Sequence, residues 1–165
     1  MALDQAGKAL AAWRRERPEL ELGGAAVMVR IRRAASLVEE QVADSARSSG
    51  IRNPGDLDTL AALRREGEPF EMSPKELASL LLVTSAGLSG RLDRLERAGW
   101  VERRANPDDR RATIVALTST GRELIDEVYA LTVALYDRAL GHLDAAERET
   151  LADLLRRILI DLGDS

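Results

Sequence analysis

The hydrophobic period of this chain switches at residue 100, for one short stretch only. Before that point apolar residues recur every three to four positions, the spacing of one helical face. Over residues 100–104 and 112–117 the period is two, the spacing of one face of a strand. The segment just before the switch is punctuated as two short helices. Ser73-Pro74-Lys75-Glu76 has the residues of a capping box, with Ser at N-cap and Glu at N3, and opens a helix ending near Val83. Thr84-Ser85 opens another, about 85–98, closed by Gly99. A turn of three to four residues separates them, which is helix-turn-helix spacing. Asn106-Pro107-Asp108-Asp109 is turn chemistry and joins the two strands as a hairpin.

The remaining chain reads as helix. Segments about 3–17, 25–49, 54–66 and 118–140 carry apolar stripes, and Asp144 with Glu147 opens a last helix bearing Leu151, Leu154, Leu155, Ile158, Leu159 and Leu162. Aromatics are only 3% of 165 residues, so aliphatic side chains fill the core. The expected fold is mainly α: six or seven helices plus one β-hairpin, the only sheet signal in the chain. It is read as one domain, 1–165, with a lobe at 54–118 flanked by helices at 1–50 and 119–165. The last helix has too many apolar positions for an exposed terminal helix in a monomer, which points to a homodimer.

Composition removes whole classes of chemistry. There is no cysteine, hence no disulfide, thiol catalysis or cysteine-ligated metal. One histidine, His142, leaves no multi-histidine metal site. No Gly-rich phosphate loop, G-x-S-x-G or metal-ligand spacing occurs, so neither enzyme nor cofactor is expected. No apolar run approaches the roughly 20 residues of a membrane span, and MALDQAGKALAAW has no secretory apolar segment. A cytoplasmic protein is expected.

A hairpin directly after a helix-turn-helix is the winged-helix arrangement, in which the second short helix enters the major groove of duplex DNA and the hairpin follows the backbone or reaches the minor groove. Residues 84–111 carry seven arginines and five acids, +2, whereas the rest of the chain carries −6. An acidic protein binds DNA when its basic groups face one way.

Residues 76–121, ELASLLLVTSAGLSGRLDRLERAGWVERRANPDDRRATIVALTSTG, resemble the MarR family of bacterial winged-helix regulators. The resemblance rests on Glu76-Leu77-Ala78, Asp93-Arg94-Leu95-Glu96, Ala98-Gly99-Trp100-Val101, Asp109-Arg110-Arg111 and Leu117-Thr118 in that order. It implies a twofold dimer held by the N- and C-terminal helices, with reading helices about 34 Å apart over a palindromic operator. It places Ser85, Ala86, Ser89, Gly90 and Arg94 of the reading helix at DNA, while Leu88, Leu92 and Leu95 form its core stripe. At the wing tip it implies an ion pair between Asp109 and Arg111, with arginine entering a narrow A·T minor groove. Arg110 is an equal candidate for that groove. Gly90 departs from many relatives, which carry a longer polar side chain there.

Trp13 on the first helix, Asp58, Arg91 and Arg103 also match the urate-responsive branch of the family in type and order. Arg91 lies about 70° from the centre of the leucine stripe, and arginine is costly to bury unpaired, so one polar cluster with Asp58 and Arg103 is expected. The resemblance implies a small-molecule effector: a planar anion stacked on Trp13 and held by arginine would repel Asp58, shift the reading helix and release DNA. Another small anionic or aromatic effector, or a purely structural cluster, are the other readings of the same residues. The alternative for the whole chain is a helical dimeric interaction protein without specific DNA binding.

Overall fold

The computed structural model describes residues 3–107 and 112–164. They form seven helices and three strands: α1 Gln5–Glu16, α2 Gly23–Ser48, α3 Pro54–Arg65, β1 Glu71–Met72, α4 Pro74–Leu80, α5 Ser85–Arg97, β2 Val101–Ala105, β3 Thr113–Leu117, α6 Ser119–Ala139 and α7 Ala145–Asp161. The chain divides into two compact units, 1–44 and 45–165.

In the first unit, Asp4 caps α1 by accepting from the Gly7 N–H at 2.6 Å. The same carboxylate receives two bonds from the Arg30 guanidinium of α2, at 2.9 and 3.1 Å, which joins the two helices. The Gly7 amide first and Arg30 second hold the Asp4 carboxyl below its ordinary range.

The second unit is built around Ile51, Leu60, Leu63, Leu77, Leu88, Leu92, Leu95, Val101, Val115, Ile125 and Val128, each at most 2% exposed. These come from α3, α4, α5, the sheet and α6, with Ile51 just ahead of α3, so one core fixes the helix-turn-helix, the wing root and the long helix together. The capping box of α4 forms as expected: Glu76 N–H donates to the Ser73 hydroxyl at 3.2 Å, and Ser73 N–H to the Glu76 carboxylate at 3.0 Å. Thr84 caps α5 by accepting from the Gly87 N–H at 3.1 Å.

The sheet departs from expectation. It has three antiparallel strands in the order β1-β3-β2. β2 and β3 form the expected hairpin, pairing Val101 with Leu117 and Ala105 with Thr113. The added strand β1 pairs Glu71 with Ala116 and Met72 with Val115. Two residues are too short to display a period, and only the partner strand makes them extended.

The root of the wing is locked to α6. Thr118 donates from its N–H to the Trp100 carbonyl at 3.1 Å and from its hydroxyl to the Gly99 carbonyl at 2.7 Å. Its hydroxyl also accepts from Gly121 N–H, capping α6. Gly121 is buried there, and a Cβ on it would overlap the backbone carbonyl of Trp100. The approach requires glycine for space rather than for dihedral freedom.

α7 differs from every other helix of this unit in burying no side chain. Arg148 holds its start through Asp137 of α6 at 3.2 Å and the Leu143 carbonyl at 3.1 Å. Among the described residues, no helix is long and apolar enough to cross a membrane.

Candidate nucleic-acid interface

α5 has two unlike faces. Leu88, Leu92 and Leu95 are buried in the core. Ser85, Ala86 and Ser89, in its N-terminal half, are exposed, and Gly90 is half-buried. The position a Cβ would take on Gly90 has only the Arg94 Nη1 near it, at 3.8 Å. Gly90 is therefore not demanded by packing, and it leaves a stretch of bare backbone on this face. The turn that aims α5 contains Leu82, at φ +52° and 93% exposed. A left-handed backbone costs an L-residue about 1–2 kcal/mol, and sequence pattern gives no hint of it.

Two arginines one turn apart on α5 grip the first turn of α3. Arg94 donates from Nε and Nη2 to the two carboxylate oxygens of Asp56, at 3.0 and 2.7 Å. Asn53, at the N-cap position of α3, donates to the same carboxylate at 3.3 Å instead of capping the helix. Arg91 donates from Nη1 to the Gly55 carbonyl at 3.1 Å. Its guanidinium fills the space a Cβ would occupy on Gly55. Asp56 is 4% exposed, and the Arg94 guanidinium pKa is raised above its ordinary value by that carboxylate. Arg94, expected at DNA, thus spends two of its three guanidinium nitrogens on Asp56.

Asp56 is not among the residues expected from the sequence, which are Asp58, Arg91 and Arg103. The signal was present. Asp56, Leu60 and Leu63 stand at i, i+4 and i+7, the buried stripe of α3, and a carboxylate on such a stripe requires a cation. Asp58 is two residues on, roughly 200° around the helix, and is exposed.

The expected single polar cluster is divided. Arg91 bonds to α3. Arg103 of β2 instead bonds to α5, donating from Nη1 to Asp93 at 2.7 Å and Glu96 at 3.2 Å and from Nη2 to the Ser89 carbonyl at 3.2 Å. The Arg103 N–H also donates to Glu96, at 3.1 Å. Arg103 therefore fastens the hairpin to α5. A second brace, Arg104 to Glu71, crosses from β2 over β3 to β1. Asp109, Arg110 and Arg111 lie outside the described residues, and the hairpin is described up to the Asn106 N–H bond to the Ala112 carbonyl at 2.9 Å. Trp13 stands on α1 of the first unit, 54% exposed.

Comparison with known proteins agrees with this geometry. A sequence model of the MarR family matches residues 50–112, from the end of α2 into the wing. The chain is 34% identical over 146 residues to the HTH-type transcriptional regulator PecS of Dickeya dadantii (strain 3937), covering 88% of this chain and 87% of that protein. It is 37% identical over 89 residues to the multiple antibiotic resistance protein MarR of Escherichia coli (strain K12), covering 53% of this chain and 62% of that protein. A crystal structure of a mutant E. coli MarR complexed with operator DNA superposes with a TM-score of 0.68 at 27% identity, covering 89% of this chain and 97% of that one. Helix-turn-helix, braced wing and likeness along nearly the whole length lead to one conclusion: the chain belongs to the MarR family of HTH-type transcriptional regulators, which are not enzymes.

Proposed function

We propose that this regulator is a cytoplasmic homodimer that binds a palindromic operator and represses transcription until a small organic anion releases it. The observation that carries the DNA reading is the half-exposed α5. Its leucines are locked in the core while Ser85, Ala86 and Ser89 face outward, one helical turn or less from an N-terminus that favours phosphate. The likeness to an operator-bound MarR supports the same orientation. In this reading Ser85 and Ser89 donate to base edges or phosphates, the Gly90 backbone lets the duplex approach, and Arg110 or Arg111, set by Asp109, enters the minor groove. The lobe 54–118 reads DNA, and helices from 1–50 and 119–165 form the dimer.

Effector relief is the finer part of the proposal. Arg91, Arg103 and Asp58 are candidate ligand residues in the second unit and, taken separately, Trp13 is one in the first, with urate the first compound to test. What favours α5 as the responsive element is that Arg91 and Arg103 both bond it to neighbours, so an anion competing for either guanidinium would change its support.

The test of DNA binding is selection of duplexes by the purified protein, followed by affinity against salt. A negative slope of log K on log salt, abolished by replacing Arg110 and Arg111 together with alanine while the fold persists, is the expected result. A flat slope would leave a helical interaction protein. Thermal unfolding with urate, xanthine, salicylate and citrate tests the effector. Saturation about 100-fold above Kd contributes about 2.7 kcal/mol per site. A stabilisation by urate that survives Arg91→Ala and Trp13→Phe would remove those residues from the site.

A further inference from the structure

We infer that Asp56 is a positioning residue for operator discrimination: its buried carboxylate, through the fork of Arg94, sets the tilt of the reading helix. The inference rests on the reading that α5 enters the operator groove.

Three observations point to it. Asp56 is nearly inaccessible, and its two carboxylate oxygens take both Arg94 donors, the arrangement that fixes a guanidinium in plane as well as in distance. Asn53 holds the carboxylate from the other side, and Arg91 makes a parallel attachment to Gly55, so the first turn of α3 forms a two-point clamp. The clamp grips the middle and C-terminal half of α5, whereas the outward residues Ser85 and Ser89 sit in its N-terminal half. They lie five and nine residues from Arg94, roughly 8–14 Å along the axis. A tilt of about 5° at the clamp then moves the tip by about 1 Å, more than hydrogen bonds to base edges tolerate.

The leucine stripe alone does not set this tilt. Aliphatic packing fixes which face is buried but allows small sliding of one helix on another. A forked charge-assisted pair does not allow it without losing a bond. The charge also matters: pairing with Asp56 keeps Arg94 from adding an indiscriminate phosphate contact, so the carboxylate both aims the helix and lowers affinity for arbitrary sequence.

The experiment compares Asp56→Asn and Arg94→Lys with the unmodified protein. Each is titrated by fluorescence anisotropy against a duplex of about 30 bp recovered by selection from a random pool and against a scrambled duplex of equal length. Thermal unfolding is recorded alongside. In Asp56→Asn the ratio of the two affinities falls by about tenfold or more, while affinity for the scrambled duplex holds or rises and the salt slope steepens by up to about 0.9 as Arg94 reaches a phosphate. In Arg94→Lys, which keeps the charge and loses the fork, the ratio falls likewise. Parallel loss of both affinities in proportion to lost folded protein would show a merely structural pair and overturn the inference. So would an unchanged ratio in either variant. If the unmodified protein selects no sequence, the groove reading itself falls, and this inference with it.

Discussion

α5 and α7 are both amphipathic helices with leucines three and four residues apart, yet one is sealed and the other is bare. Leu88, Leu92 and Leu95 of α5 are at most 2% exposed. Leu151, Leu154, Leu159 and Ile160 of α7 are 39–51% exposed, and the helix buries nothing. The C-terminal half of α6 repeats the pattern with Leu131, Val133 and Tyr136, joined by Leu140 at its cap. Within the second unit, a lobe whose core is closed contrasts with a helix whose apolar face is uncovered among the described residues. An exposed apolar face of this extent marks an interface. The lobe around α5 therefore carries its own stability, and the terminal helices borrow theirs from the proposed second copy.

That contrast is open to direct attack. Leu95→Ala should destabilise the protein by about 4 kcal/mol, independent of protein concentration, because it empties a site sealed within the chain. Leu159→Ala should cost little in the dilute chain but weaken self-association, seen as loss of the concentration dependence of Tm. Equal concentration dependence in both variants would break the comparison. Gly121→Ala drives a methyl into the Trp100 carbonyl and should cost about 3 kcal/mol, lowering Tm by roughly 6–12 °C. A smaller loss would mean the wing root and α6 can slide apart. Leu82→Gly should stabilise by about 1 kcal/mol by relieving the left-handed backbone, read as a rise in Tm. No gain would show that the exposed leucine is packed in the assembly.

The smallest effect expected is acid dependence at the α4 cap. The Ser73 hydroxyl first, and its N–H second, hold the Glu76 carboxyl below its ordinary range. The folded value is depressed, so this stabilisation is complete above the ordinary carboxylate range and is lost as pH falls through the lower folded value. The Tm difference between the unmodified protein and Glu76→Gln should be present near pH 7 and shrink as pH falls below the ordinary carboxylate range. A difference that persists in acid would show that the charge plays no part.

How far the chain could be read from its letters depended on whether the signal was local. Caps at Ser73, Thr84 and Thr118 and the period-two hairpin lie within a few residues of the structure they specify. The contacts of the reading helix do not. Arg94 and Asp56 are 38 residues apart, and Arg91 and Gly55 are 36 apart. Arg103 was grouped with Arg91 although the fold sends the two to different helices, because spacing along the chain shows which face a residue occupies but not what stands opposite.

Local residue order specifies the alternation of periods, the caps that divide the helices, the hairpin after the helix-turn-helix and the string of residues that carries the family. Tertiary structure supplies the partner that makes Glu71 and Met72 a strand, pairs the buried Asp56 with Arg94 of α5, and leaves the apolar face of α7 uncovered among the described residues of its unit. The physical reason is common to all three. Propensity and periodicity act over a few residues, whereas a strand partner, a counter-ion or a facing helix is supplied by whatever the closed core brings alongside.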